Sequence, residues 1–262
     1  DDLVPGPDAG LSSSIEFVDG GPGTLYFATA EGLFKTTGFP GLGTTVLVDP
    51  AATVTGIQEM ELFGSNLMFQ ANDAAGYTNG GIPVGIELLQ FNGTQIVLAA
   101  DIRYGASSSS PKGMTTFGSK MYFQANNGIS GTELWSWDGV MAAGTDLNTA
   151  SSSSPVGFYV HSGKMFFSAD VSNAIDTDIG RELCVHDGTT LTKIDLWPGP
   201  ANGLGTIPAF TGMTPNKVCF LANDGTTGTE LFETDGTAAN TINCVDLQPG
   251  TSSGGRYILG VN

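Results

Sequence analysis

Hydrophobic residues in this chain occur in short runs that alternate with polar ones, and glycine, asparagine, aspartate and serine separate the runs. Residues 123–139, FQANNGISGTELWSWDG, show the pattern most fully. Alternation over four to eight residues bounded by turn formers predicts β-strands, here two strands around a glycine turn, followed by an Asp-Gly turn. The arrangement recurs as FQANDAAGYTNGGIPVGIELLQFNG from Phe69, FSADVSNAIDTDIGRELCVHDG from Phe167, FLANDGTTGTELFETDG from Phe220 and, shortened, FATAEGLFKTTG from Phe27. No stretch has the length or periodicity of a helix. Self-similarity at a fixed period points to a repeat architecture.

The full repeat is wider than this core. An aspartate and a Ser/Gly/Pro-rich segment introduce each copy, at Asp2, Asp49, Asp101, Asp146 and Asp195, with a sixth such segment at Asp246. The aspartates are 47, 52, 45, 49 and 51 residues apart, which suits four short strands with tight turns and is too long for a solenoid rung. In the third copy the strands fall at GMTTFGS, KMYFQAN, TELWSWDG and a weak last run through Ala142 to Asp146. The prediction is therefore an all-β fold, a β-propeller of five four-stranded blades. Six blades, or an array continued by another chain, is the alternative. The domain is single, with repeats at about 2–48, 49–100, 101–145, 146–194 and 195–245 and a closing or extra segment at 246–262. Each end carries one crossover more than five closed blades need, which predicts an extra strand or assembly through the chain ends.

The consensus F-x-A-N-D-G-x-x-G-T-E-L-W-x-x-D-G-T, followed by D-[LI]-x-P-G-x-S-S, resembles the ELWxxDGT repeats of secreted and surface proteins over nearly the whole chain. The resemblance implies propeller-like architecture and carries no particular reaction or ligand. The first copy departs from it, with Gly32 where the others have Glu87, Glu133, Glu182 and Glu230.

Charge narrows the partners. Nine Lys+Arg stand against 26 Asp+Glu, a formal net charge of −17, so nucleic acid and anionic lipid are repelled while cations are attracted. No run of 18 apolar residues is present, so no membrane insertion is expected. The chain starts at Asp1 without a basic leader, which reads as a processed chain, secreted or displayed at the cell surface, with an organelle lumen or periplasm as the alternative. Three cysteines, Cys184, Cys219 and Cys244, are too few for a disulfide framework.

In a four-stranded meander, the loop between the second and third strands and the crossover to the next blade emerge at one end, and the two remaining turns at the other. Only the first end varies: from the repeated Phe to the Glu position the interval is 5, 18, 10, 15 and 10 residues. Binding is therefore expected there, at Asp73, Asn126 and Asp224 and on the aromatic rings of Trp135 and Trp197, with a protein or a glycan as partner. In the fourth copy, Asp176-x-Asp178-x-Gly180-x-Glu182 has alternating oxygen ligands and a turn glycine, which suggests Ca²⁺ held by Asp176, Asp178 and Glu182 with help from Asp170 or Asn173. A solvated acidic turn is the competing reading. Asp-Gly at 138–139, 187–188 and 235–236, with Asn-Gly at 92–93, predicts two-residue type I′ hairpins. Asn92-Gly93-Thr94 is a glycosylation sequon. Catalysis has little to stand on: His161 and His186 have no nucleophile motif beside them, and Cys184 with His186 offers only two soft-metal ligands. The function expected is a non-enzymatic binding or scaffold module, with a lectin as the alternative and a hydrolase as the third reading.

Overall fold

The computed structural model describes residues 16–37, 44–172 and 178–255, the Asp178 side chain excepted. The described chain is all-β apart from two single-turn 3-10 segments, and it forms five four-stranded antiparallel sheets, each with strands in sequence order. The first contains Phe17–Asp19 (β1), Thr24–Thr29 (β2), Gly32–Thr37 (β3) and Thr44–Leu47 (β4). The second contains Thr55–Phe63 (β5), Asn66–Asp73 (β6), Val84–Phe91 (β7) and Ile96–Ala100 (β8). Lys112–Phe117 (β9), Lys120–Asn126 (β10), Thr132–Trp137 (β11) and Ala142–Thr145 (β12) make the third. The fourth is Val156–His161 (β13), Lys164–Ser172 (β14), Asp178–His186 (β15) and Leu191–Ile194 (β16). The fifth is Phe210–Thr214 (β17), Lys217–Asn223 (β18), Thr229–Thr234 (β19) and Ile242–Val245 (β20). These are the five predicted repeats. Asp176 and Asn173 lie outside the described residues.

The chain divides into two compact units. One comprises Asp1–Thr116, Ala125–Gly128 and Trp137–Ala142; the other comprises Phe117–Gln124, Ile129–Ser136 and Ala143–Asn262. Within each, the side-chain alternation of the strands builds the core. In the first unit, Tyr26, Ala28 and Leu33 of the first sheet pack on Phe69, Ala71 and Leu89 of the second. In the second unit, Tyr122 and Leu134 pack on Phe167, Ala169 and Cys184, while Phe166, Leu183 and Val185 pack on Phe220, Ala222 and Phe232. In these three contacts the Phe-x-Ala residues of a second strand meet the preceding sheet, and residues of opposite parity, such as Tyr26, Ala28, Tyr122 and Phe166, meet the following one. Phe69, Phe123, Phe167 and Phe220 have no exposed surface, and each such ring contributes about 2–3 kcal/mol of burial.

The turns between third and fourth strands correct the type I′ expectation. Asn92, Asp138 and Asp187 donate their N–H groups to the carbonyls of Gln95, Met141 and Thr190, so the aspartate or asparagine closes the turn and Gly-x forms its centre. Only the glycine has positive φ, at 92° for Gly93, 98° for Gly139 and 98° for Gly188, as a type II′ turn requires. The carboxylate of Asp187 accepts both N–H and Oγ of Thr189, and Asp235 does the same for Thr237. The Asp-Gly-Thr triplet is thereby accounted for as a self-capped turn.

Candidate functional site

The end of each sheet that carries the loop between second and third strands also carries the crossover, and the repeated glutamate is what joins the two. Glu133 on β11 has 1% exposure. Its Oε2 accepts the N–H of Leu147 at 2.9 Å, at the start of the crossover, and its Oε1 accepts the N–H of Ser153 at 2.9 Å, at the end. The Ser153 hydroxyl adds a bond of 2.6 Å. Glu87 holds Ile102 and Ser109 in the same way at 2.8 Å each, Glu182 holds Leu196 at 2.8 Å and Gly203 at 2.7 Å, and Glu230 holds Leu247 at 2.9 Å and Gly254 at 2.6 Å. Side chains of Ser108, Ser152, Asn202 and Ser253 accept the N–H of the residue just before each glutamate. The serine runs, which look like linkers in the sequence, are therefore the donors and acceptors of a recurring clamp. The first repeat lacks it: Gly32 has no side chain, and Asp49 instead accepts the Tyr77 hydroxyl and the N–H of Ile96.

Burial pushes the Glu87 and Glu182 carboxyls up to about 7 against the lowering pull of their hydrogen bonds, and raises Glu133 as well. The same geometry corrects the calcium set. Glu182 is committed to the crossover backbone, and since Ala169 pairs with Glu182 while Asp170 pairs with Arg181, Glu182 and Asp170 point to opposite faces of the sheet. Asp170 accepts a bond from Asn148 Nδ2 at 3.2 Å. Among the described residues no three His, Cys, Asp or Glu side chains converge as metal ligands.

The polar residues expected to bind ligand are engaged within their own loops. Asp73, fully buried, caps the 3-10 turn Tyr77–Asn79 through the N–H groups of Tyr77 and Thr78. Asn126 accepts the N–H of Gly128 at 2.6 Å, and Asp224 accepts those of Thr226 and Thr227 at 2.8 Å. Trp135 is half-buried and lies along Gly144 of β12, where a Cβ would come within 2.9 Å of the ring. Trp197, in the crossover to the fifth sheet, sits over Gly225 of the next loop at 2.4 Å from a Cβ built there, so the structure brings Trp197 and the Asp224 loop together. It does not do so for Trp135.

A cavity of about 660 Å³ opens at this end of the second unit. Its polar lining includes Arg181, Asn202 and Asn223 with Thr206 and Thr229, and its apolar lining includes Leu204, Ile207 and Leu221. The Arg181 guanidinium, itself 7% exposed, donates to the carbonyls of Ser153, Ser154 and Ser168. Sequence reasoning placed Asn223 in a variable loop but did not single out the others: Asn202, Leu204 and Ile207 lie in the crossover between the fourth and fifth sheets, and Arg181 and Leu221 lie on strands.

The histidines lie at the opposite, tight-turn end. The His161 ring bonds the Thr214 carbonyl at 2.9 Å, and His186 packs against Phe117 and Tyr122 and takes the N–H of Gly188 on Nδ1. Cys184 is a core residue whose thiol burial pushes up to about 12. All three cysteines are free thiols. No helix among the described residues is long and apolar enough to cross a membrane.

No family model and no curated protein matches the chain. Among solved structures, the chain is similar to the Agrobacterium tumefaciens protein assigned as TolB, with a TM-score of 0.42 and 12% identity over 87% of this chain and 78% of that one. It is also similar to a GH74 xyloglucanase from Xanthomonas campestris (0.44, 13%, 85% and 36%) and to apo AztD from Citrobacter koseri (0.43, 11%, 92% and 60%). The chain spans about a third of the xyloglucanase's length.

Proposed function

We propose that the chain is a secreted, non-enzymatic binding or scaffold module whose partner docks at the end where crossovers and variable loops gather. The observation that carries this reading is the cavity at that end, whose volume falls in the range of ligand pockets and whose lining combines apolar side chains with two amides and one cation. Among the described residues, the opposite end carries tight turns, those of Asp138, Asp187 and Asp235 held by their own carboxylates, and a smaller cavity of about 280 Å³ lined by His161, Lys164, Asn216 and Asp235. Face-to-face packing of consecutive four-stranded sheets is the arrangement a propeller uses, and five blades remains the reading of the repeat count, with a continued array as its alternative. Calcium, in this reading, belongs to the loop of Asp176 and Asp178 without Glu182.

A lectin is the second reading, favoured by Trp197 at the cavity end. Glycan and peptide arrays probed with and without calcium test both. Saturable binding that falls about tenfold or more in Ile207→Asp and Asn223→Ala, and is untouched by Asn92→Gln in a tight turn of the second sheet, is the expected outcome. Sugar ligands alone would select the lectin. Binding indifferent to both cavity substitutions, or none on either array, would sink the proposal.

A further inference from the structure

In a chain with 26 acidic and 9 basic side chains, the cavity of the second unit has no carboxylate among the described residues that line it, and its one charged residue is Arg181. What such a site can recognise depends on the polar groups that its own fold leaves over. The amide oxygen of Asn202 takes the N–H of Arg181 at 2.9 Å, and that of Asn223 takes the N–H of Gly225 at 2.8 Å. These two bonds fix which way each amide is turned, and what each has left to offer is Nδ2, a donor. The Arg181 guanidinium is donor-only as well. Among the described residues its hydrogen bonds go to the backbone carbonyls of Ser153, Ser154 and Ser168.

The carboxylates nearby are spent elsewhere. Asp170, opposite Arg181 on the neighbouring strand, offsets part of the cation's charge and accepts from Asn148. Glu182 is committed to Leu196 and Gly203, and Asp224, next to Asn223, to Thr226 and Thr227. The hydroxyls of Thr206 and Thr229 can donate or accept. The remaining lining is largely aliphatic, from Leu204, Pro208 and Leu221 to Ile207, which is 92% exposed.

We infer that the cavity takes the end of a peptide chain: an apolar C-terminal residue whose free carboxylate is met by the Arg181 guanidinium and the Asn202 and Asn223 amides, and whose side chain rests on Leu204, Ile207 and Leu221. This rests on the reading of the cavity as the binding site and names its ligand. An ionised carboxylate is acceptor-only and matches the planar fork of a guanidinium, so it suits a lining whose spare amide and guanidinium groups all donate. A sugar hydroxyl asks for an acceptor as well as a donor. The three carbonyls hold the guanidinium in place before a ligand arrives, which lowers the ordering cost of binding. A volume of about 660 Å³ also has room for the residues that precede the carboxylate, and not only for a small acid.

Fluorescence anisotropy on the full chain, with short N-terminally labelled peptides ending in leucine, phenylalanine or serine, each as free acid and as amide, tests it. The two apolar free acids should bind saturably, and the amides and the serine-ended acid at least about tenfold more weakly. Asn202→Asp and Asn223→Asp keep the oxygen that accepts the backbone N–H and put a negative oxygen where the donor was. Each should therefore weaken the free acids at least about tenfold, leave the amides little changed and keep the far-UV circular dichroism. Arg181→Lys should retain more free-acid binding than Arg181→Gln, and the two asparagine variants decide if either loses its fold. Free acids and amides bound alike, and both lost in Ile207→Asp, would overturn the inference while leaving the cavity a binding site. Octanoate that displaces the peptide as well as unlabelled peptide does would overturn the peptide in favour of a free apolar acid. If no peptide binds, the inference falls, and the reading of the cavity falls with it only if the glycan and peptide arrays are blank as well.

Discussion

A carboxylate without exposed surface that gathers two or three hydrogen bonds is balanced between desolvation, which favours its protonated form, and its donors, which favour the anion. In Glu87 and Glu182 desolvation wins, and both titrate near 7 rather than at 4.5. Folding therefore takes up protons at these positions: their contribution to stability is fully present below about pH 4.5 and is lost as the pH rises toward about 7. Calorimetric scans should show a melting temperature falling between pH 5 and pH 8, and a shallower fall in Glu87→Gln. Asp101 beside Glu87 and Asp195 beside Glu182 push in the same direction. Asp187, which its turn holds down to about 2, titrates outside this window. The clamp can also be broken outright. Glu133→Ala leaves the N–H groups of Leu147 and Ser153 buried without an acceptor and should cost about 2–5 kcal/mol in urea unfolding. Glu133→Gln, which keeps one acceptor oxygen, should cost less.

At the level of elements, the clamp explains why the crossovers differ in composition. Ser109 and Ser153 add a hydroxyl bond to their glutamates, whereas a Cβ on Gly203 would stand 2.5 Å from Glu182 Oε2. Gly203→Ala should therefore destabilise by about 1–3 kcal/mol, and Ser153→Gly by about 1 kcal/mol for the lost bond. Equal effects in the two variants would show that the clamps are not equivalent in the way their geometry implies. Strands and repeats were legible in the sequence because alternation and glycine turns report directly on local backbone. The clamp was not, because half of it consists of main-chain N–H groups in serine-rich segments whose side chains suggest a linker. Glu182 was misread for the same reason: a glutamate at the end of an acidic loop looks like a metal ligand until the amides that occupy it are seen. The hairpins were placed correctly, but their type was missed, since Asp-Gly forms the centre of a type I′ turn or, as here, straddles the start of a type II′ turn.

For the molecule as a whole, the surplus of 17 negative charges is a standing repulsion. Adding salt from about 0.01 M to 0.15 M shortens the screening length from 30 Å to 8 Å and should raise the melting temperature. If the loop of Asp176 and Asp178 holds calcium, millimolar Ca²⁺ should raise it further than an equal ionic strength of NaCl, by about 2.7 kcal/mol of stability at a hundredfold excess over the dissociation constant. EDTA should reverse that gain, and Asp178→Asn should reduce it, whereas Asp138→Asn, in a type II′ turn, should not. A response to Ca²⁺ no greater than that to NaCl leaves the loop without a cation.

Each glutamate closes a loop inside its own neighbourhood, reaching residues only 14 to 24 positions away. No clamp waits on a distant part of the chain, so under tension the protein should yield in installments. Pulled from its ends in an optical trap, it should lengthen in jumps of one repeat, and in the four repeats that carry the glutamate each jump should be a single latch opening and releasing the strands behind it. The same independence lets a lineage add or delete a repeat as a sealed package, since every latch travels with the loop it fastens.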